Sequence, residues 1–164
     1  MDKSGNFECK RCATCCRNLL ESKEGVLRGL PLTATEAKRF PPNAIAPKLA
    51  VGVEKPETII LYQPIVNCCP HISDKNECQV YETRPLMCQS FPIVAGAISN
   101  RCQVFNYRRP GVVYDEFYNM NSQLRASDKL EKYVESHLRR NSKRGLKIWE
   151  YNISTKKWLD KGSC

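Results

Sequence analysis

Cysteine is the residue type in this chain best suited to chemistry, and four of the ten cysteines fall within eight positions near the N-terminus. Cys9, Cys12 and Cys15 are spaced C-x2-C-x2-C, and Cys16 follows directly. Such spacing presents three thiolates to a single centre. A lone zinc ion usually takes two ligands from each C-x2-C turn, whereas a [4Fe–4S] cluster takes three at this spacing and a remote fourth.

A second group of cysteines offers the remote ligand. Cys69 precedes a proline, as the fourth ligand of such clusters often does, and Cys78 and Cys88 follow it. Residues 74–77 form a polar turn of the kind that joins two short strands. Pro85 suits the first turn of a short helix, which would place Cys88 one turn along and aim the N-terminal N–H groups at an anionic cluster.

Disulfide bonds are the main alternative to a metal. The pairs Cys15-Cys16 and Cys68-Cys69 are sequence neighbours, with Cα atoms about 3.8 Å apart, whereas a disulfide prefers roughly 4.4–6.8 Å. Bridges between the two pairs stay open. The N-terminus lacks the apolar region of a secretory signal, and no apolar stretch has the length of a membrane helix. We therefore expect a cytoplasmic protein with no membrane partner, in a compartment where disulfides are rare.

Other polar residues are weaker candidates. His71 lies beside Cys69 and could replace one thiolate or donate a hydrogen bond to a ligand. His137 falls on the expected solvated face of a helix, and no histidine–carboxylate pair marks a base for a catalytic thiol. Arg84 is expected to brace the cysteine segment or donate to a sulfur. Glycine-rich nucleotide-binding motifs are absent from the sequence, and we assign no catalytic residue.

The two cysteine segments together resemble the YkgJ-like cysteine-cluster family, which carries a CxxCxxCC box and is described as chelating zinc or iron. The first half matches at Phe7, Cys9, Cys12, Cys15 and Cys16. The second half matches at Cys69, Pro70, Cys78, Tyr81, Arg84, Pro85, Cys88, Phe91 and Pro92, with Val80 in place of isoleucine. The chain departs from the family pattern at Ala13, where glycine is common, at Ile72, and at the extra Cys68.

The resemblance covers about residues 7–102 and implies a metal site. The expected ligands are drawn from Cys9, Cys12, Cys15, Cys16, Cys69, Cys78 and Cys88. The triple spacing and the distal Cys-Pro favour one [4Fe–4S] cluster over zinc, and the spare cysteines would surround it or be buried. Two four-thiolate sites stay open. A related cysteine box occurs in flagellin lysine methylases, so the resemblance also leaves room for a protein-modifying enzyme.

The surrounding pattern predicts a small α+β fold that holds the cysteines. Residues 1–110 are expected to form the metal-binding domain, and residues 111–164 a basic helix and hairpin packed on it. A capping box at residues 33–36 predicts a short helix that prolines stop at residues 41–42, and a strand is expected within 57–66. A helix is expected over 114–124, followed by a second helix that Ser127 caps, with Leu130, Tyr133, Val134 and Leu138 on one face. A hairpin is expected to turn at residues 152–155.

Charge is uneven along the chain. The net charge is +9; residues 1–100 carry 12 basic and 10 acidic side chains, and residues 101–164 carry 14 basic and 7 acidic ones. The basic run Arg139–Lys147 is followed by Trp149 and Trp158. Basic residues with nearby aromatic residues can follow a phosphate backbone and stack on bases. The alternative is a solvated helix end next to core tryptophans. The candidate contacts to nucleic acid or ribosome are Arg139, Arg140, Lys143, Arg144 and Lys147.

The sequence therefore predicts a cytoplasmic metal-binding protein whose single [4Fe–4S] cluster is structural or redox-active. The first alternative is a nucleic-acid- or ribosome-associated module that zinc stabilises. The second is an enzyme that modifies proteins and resembles the flagellin lysine methylases.

Overall fold

The computed structural model describes residues 7, 9, 11–94, 97–99, 101–102 and 120–163. Both helices and strands occur in these ranges, which confirms the α+β class. The strands are β1 Leu20–Lys23, β2 Val26–Gly29, β3 Ile45–Gly52, β4 Thr58–Pro64, β5 Ile93–Val94, β6 Ala97–Ile98, β7 Lys147–Asn152 and β8 Lys157–Ser163. The helices are α1 Ala34–Ala37, α2 Leu86–Ser90 and α3 Asn121–Arg140.

The largest sheet has four antiparallel strands in the order β4-β3-β7-β8. The predicted C-terminal hairpin is confirmed as β7 and β8, with Asn152 paired with Lys157 across its turn. The Asn152 side-chain oxygen accepts a hydrogen bond from the Ser154 backbone N–H at 3.0 Å, as in the turns that asparagine favours. The predicted strand within residues 57–66 is confirmed as β4. Two further hairpins, β1-β2 and β5-β6, lie outside this sheet.

The sheet joins strands from both sides of the predicted domain boundary. Strand β3 pairs with β7 between Leu49–Glu150 and Gly52–Lys147, so the C-terminal hairpin is hydrogen-bonded to the middle of the chain. The boundary at residue 110 itself lies outside the described residues. The division into 1–110 and 111–164 therefore stays a prediction, and the described strands of the two parts share one sheet.

The apolar stripe of α3 covers this sheet, as predicted. Leu130 is buried in a cluster with Val51, Ile60, Leu61 and Leu146, and α3 also lies against α2. The partly buried side chains packed on the cluster are Leu49, Leu86, Met87, Tyr133, Val134 and Leu138. Burying one such side chain contributes about 1.5–3 kcal/mol, so this stripe fixes α3 on the protein. None of the described helices combines the length and apolar character that a membrane crossing needs.

The structure corrects the expected start of the last helix. Ser127 does not cap a new helix, because α3 runs unbroken from Asn121 to Arg140. The Ser127 hydroxyl instead donates to the Glu131 carboxylate at 3.3 Å, one turn further along the same helix. Gln123 and Ala126 are buried, so packing continues on the N-terminal side of Ser127. Of the other helix predicted over residues 114–124, the part before residue 120 lies outside the described residues.

Gln63 ties three parts of the fold together inside the protein. Its side chain is fully buried, and its amide nitrogen donates to the carbonyls of Pro47 at 2.8 Å and Tyr151 at 3.1 Å. Its amide oxygen accepts from the Gly29 N–H at 2.8 Å. Strand β4 is thereby joined through one side chain to β2, β3 and β7.

The short helix α1 begins at the predicted capping box. The Thr33 hydroxyl accepts from the Glu36 N–H at 3.3 Å, and the Glu36 carboxylate accepts from the Thr33 N–H at 2.8 Å. The helix ends at Ala37, and a 3-10 turn over Pro42–Ala44 follows. A second small core formed by Leu32, Ala37 and Phe40 lies next to it and contacts Cys69. This core links the scaffold to the cysteine segments.

Candidate metal centre

The two cysteine segments lie against each other. The Cys69 N–H donates to the Cys16 carbonyl at 2.7 Å, and the Leu19 N–H donates to the Asn67 carbonyl at 2.9 Å. The Arg17 guanidinium also donates to the Asn76 side-chain oxygen at 2.6 Å. Main chain from the first box is therefore bonded to main chain beside Cys69, although about fifty residues separate them in the sequence.

The first box is a tight turn. The Arg17 N–H donates to the Ala13 carbonyl at 2.9 Å, and the Arg11 N–H points at the Cys9 sulfur at 3.4 Å. Arg11 and Ala13 have positive φ values of 50° and 60°, in the left-handed region that glycine adopts most readily. This conformation explains why glycine is common at the position of Ala13 in the family pattern. Ala13 is buried, so its methyl group packs inside the turn.

The second segment presents Cys78 and Cys88 from different local structures. An isolated β-bridge pairs Ile72 with Cys78 around the predicted polar turn, whose Ser73 N–H donates to the Glu77 carbonyl at 2.9 Å. Cys88 lies in α2, which follows Pro85 as predicted. However, the first N–H of α2, from Leu86, donates to the Glu36 carboxylate at 2.7 Å. That N–H is therefore unavailable to a cluster.

Six thiols are close enough for one or more of them to affect another electrostatically: Cys15, Cys16, Cys68, Cys69, Cys78 and Cys88. The Cys15 and Cys16 sulfurs are 3.9 Å apart. A hydrogen bond from Cys16 lowers the pKa of Cys15, and the same contact raises the pKa of Cys16. Burial, followed by the neighbouring thiols, raises the pKa values of Cys69 and Cys88. Crowded thiols of this kind ionise together only when a cation compensates their charge.

Arg84 supplies a positive charge to this cluster. Its guanidinium lies 4.0 Å from the centre of the Tyr81 ring, and that of Arg11 lies 4.8 Å from the same ring. The charge of Arg84 lowers the pKa values of Cys15 and Cys88, although other effects on both thiols are larger. Tyr81 thus contacts arginines from both cysteine segments. The sequence pattern names Tyr81 and Arg84, but the participation of Arg11 has no signal in the sequence.

Two buried nitrogen atoms near the cysteines have no hydrogen-bond partner in the described structure: Nε of Arg84 and Nε2 of His71. The His71 ring packs edge-on against Phe40, with centroids 4.9 Å apart, and the His71 backbone N–H lowers the pKa of the Cys69 thiol, although burial outweighs this effect. An unpaired buried polar atom costs about 1–3 kcal/mol. Thiolates and sulfides accept hydrogen bonds, so these donors fit a site that holds a metal–thiolate group.

The described residues do not form a finished ligand set. Among them, no group of three or more histidine, cysteine, aspartate or glutamate side chains has the arrangement of a metal-ion site. Cys9 is half-buried and Cys12 exposed, and no hydrogen bond in the described part of the chain joins either one to another cysteine. Cys68 is exposed and Cys102 buried, while Cys164 lies outside the described residues. Which cysteines bind metal stays a prediction.

Comparison with known protein families agrees with the clustered thiols. A family model named CxxCxxCC, described as a putative zinc- or iron-chelating domain, matches residues 8–133, more than half of the chain. The chain belongs to the CxxCxxCC family. The match extends past the second cysteine segment into α3, further than the motif itself reaches. No curated protein and no solved structure matches the chain significantly.

Proposed function

We propose that this CxxCxxCC protein holds one [4Fe–4S] cluster with a structural or redox role. The observation that carries the proposal is the approach of Cys15 and Cys16 to Cys69, Cys78 and Cys88 across the hydrogen bond between Cys69 and the Cys16 carbonyl. These thiols come from both halves of the family pattern. A single cluster between the two segments would take its ligands from both.

The spacing of the N-terminal box favours iron and sulfide over zinc. Three cysteines at C-x2-C-x2-C and a distal cysteine followed by proline match the ligand order of cubane clusters. A tetrahedral zinc ion and a cubane cluster each take four protein ligands, so the preference for iron and sulfide comes from the spacing and not from the number of thiols. In this proposal Cys9, Cys12 and Cys15 are the candidates from the first segment, and Cys69 or Cys88 supplies the fourth ligand from the second.

The chain's own residues have defined roles around the cluster. When bound, a [4Fe–4S] cluster supplies one-electron chemistry or a covalent cross-link between segments. Arg84, held on the Tyr81 ring, offsets the negative charge of the thiolates. Glu36 fixes the start of α2 through Leu86 and thereby positions Cys88. The Arg11 backbone N–H donates to the Cys9 sulfur, and the His71 backbone N–H favours the thiolate of Cys69 by lowering its pKa.

The test compares cysteine-to-serine variants purified without oxygen. We expect at least one of Cys69→Ser and Cys88→Ser to lose the bound metal, because metal binding at such sites contributes to folding. Cys68→Ser is the matched control, since it makes the same change at the exposed neighbour of Cys69. Metal per chain and the absorption spectrum of the soluble protein are the measurements. Full metal content in both Cys69→Ser and Cys88→Ser would contradict the proposal.

A further variant tests the N-terminal box. Cys12→Ser is expected to lose metal although Cys12 is exposed, because its spacing places it among the ligands. If a variant is insoluble, the wild type is treated with a chelator instead, and its thermal unfolding is followed. A melting temperature that is unchanged after complete metal removal would contradict a structural role for the centre.

A further inference from the structure

The solvent-facing side of α3 carries a regular row of basic side chains. They follow one another at i, i+4, i+7, i+14 and i+15, a spacing that places them along one side of a helix. All five are exposed, whereas Leu130 and its neighbours on another side pack on the sheet. These basic residues are Arg125, Lys129, Lys132, Arg139 and Arg140.

Carboxylates pair with one lysine of this row and with two lysines that follow α3. Lys132 pairs with Asp128 at 2.8 Å. Lys143 pairs with Glu57 and Lys147 with Asp160, each at 2.6 Å. Within the described residues, no ion pair involves Arg139, Arg140 or Arg144. We refer to these three residues as the arginine cluster.

Two adjoining clefts lie at the arginine cluster. One, of about 570 Å³, is lined by Arg139, Lys143 and Arg144 together with Ser142 at the end of α3. The other, of about 510 Å³, is lined by Lys132, Arg139, Arg140, Ser136 and Glu135 along the helix. Arg139 belongs to both clefts, and among the described residues that line them Glu135 is the one carboxylate. The first cleft also includes Leu146, which precedes β7, so basic side chains line the surface from α3 to the beginning of that strand.

A role in capping the helix does not account for this arrangement. Arginines in the last turn favour the helix macrodipole, which explains Arg139 and Arg140 in part. Arg144 lies beyond the helix, however, and Asn141 already donates to the His137 carbonyl at 2.7 Å. Three guanidinium groups that form no ion pair with the described residues fit oxyanions, because the planar fork binds phosphate oxygens in pairs.

We propose that the arginine cluster, together with Arg125 and Lys129 of the basic row, binds the phosphate backbone of a nucleic acid. The row from Arg125 to Arg140 spans about 22 Å at 1.5 Å per residue. One strand of a duplex presents a phosphate about every 3.4 Å, so the row faces roughly six phosphates. Base stacking is not part of the proposal. The Trp149 indole donates to the Gly52 carbonyl at 3.1 Å, and Trp158 packs edge-on against Tyr151, so both rings are engaged in the sheet.

The test uses two variants with the same change in net charge. Arg139→Gln/Arg140→Gln/Arg144→Gln removes the arginine cluster. Lys132→Gln/Lys143→Gln/Lys147→Gln removes the three lysines that carboxylates already neutralise. Fluorescent duplex DNA and duplex RNA of one sequence are titrated with each variant and with the wild type, between roughly 50 and 200 mM salt. Both duplexes present a phosphate backbone, so comparing their affinities shows whether the surface binds DNA, RNA or both.

Each phosphate contact contributes about 0.9 to the slope of log affinity against log salt for duplex DNA. We expect the slope of the arginine variant to be nearly three units shallower than that of the wild type. When the salt concentration rises fourfold, the affinity of the wild type should therefore fall by a factor roughly 40 times larger than that of the variant. The lysine variant should keep the wild-type slope. Arg144 lies outside the helix, so Arg144→Gln alone replaces the triple variant if that variant misfolds. It should lower the salt slope by about one unit. Metal content and circular dichroism confirm folding.

Three results would overturn the proposal. Wild-type binding by the arginine variant would mean that the cluster does not face the phosphates. Equal losses in both variants would mean that only net charge matters. If polyglutamate displaces the duplex at the same concentration of negative charge, the surface binds an acidic protein instead. None of these results depends on which metal the cysteines bind.

Discussion

Replacing Glu36 with glutamine tests how the scaffold holds the cysteine-bearing helix. The buried Glu36 carboxylate accepts one hydrogen bond from the N–H of Thr33 at 2.8 Å and one from the N–H of Leu86 at 2.7 Å. The first closes the capping box of α1, and the second fixes the beginning of α2, two residues before Cys88. Glutamine has the same shape but only one oxygen, so one of the two donors must face an NH2 group.

The expected cost follows from these two bonds. A buried N–H left without an acceptor costs about 1–3 kcal/mol, and exchanging a charged acceptor for a neutral one at the other N–H costs about 1 kcal/mol more. We therefore expect Glu36→Gln to lower the free energy of unfolding by about 3 kcal/mol. With an assumed urea m-value of about 2 kcal/mol/M, the midpoint of unfolding falls by roughly 1.5 M.

Urea unfolding of the metal-loaded protein, followed by circular dichroism, measures this loss. Glu82→Gln is the matched control, because it removes the same charge from an exposed position near the cysteine segments. It should stay within about 0.5 kcal/mol of the wild type. Glu36→Gln should also release its metal to a chelator faster, since Cys88 moves with α2. A Glu36→Gln midpoint equal to that of Glu82→Gln would refute the proposed link between the capping box and the cysteine site.

Two further substitutions test the sheet. Gln63→Leu should lower the free energy of unfolding by about 3 kcal/mol, because it removes three hydrogen bonds to the backbone inside the protein; a urea midpoint close to that of the wild type would contradict this expectation. Lys48 donates to the Gly29 carbonyl at 2.8 Å, and burial lowers its pKa from 10.5 to about 8. The unfolded chain therefore binds more protons between these values, and the stability of the wild type relative to Lys48→Met should rise from pH 8 to 10.5. Urea midpoints of both proteins across this range measure the difference, and a constant difference would rule out the lowered pKa.

The sequence predicts those parts of the fold that local patterns determine. The capping box at Thr33, the strand β4 and the β7-β8 hairpin each depend on a few neighbouring residues, and all three occur where expected. The apolar stripe of α3 follows from helical periodicity in the same way. Ser127 shows the limit of such reasoning, because a serine that opens a helix and one inside it look alike in sequence. Gln123 and Ala126 are buried, and their packing stabilises the helix on the N-terminal side of Ser127.

Contacts between distant segments could not be predicted from the sequence. The pairing of β3 with β7 and the three hydrogen bonds of Gln63 join residues that share no local pattern. The same holds in the cysteine site. Spacing identifies Cys15, Cys69 and Cys88 as candidate ligands, but the bond from Cys69 to Cys16 and the anchoring of α2 by Glu36 depend on tertiary packing.

The composition of the metal centre is the most direct test of the central claim. Wild-type protein purified without oxygen is analysed for iron, zinc and acid-labile sulfide per chain, and its absorption spectrum is recorded. We predict about four iron and four sulfide per chain and a broad band at roughly 400 nm, as expected for one [4Fe–4S] cluster. A colourless protein with one or two zinc ions would contradict the cluster and retain a metal site. A metal-free protein with its cysteines paired in disulfides would contradict both.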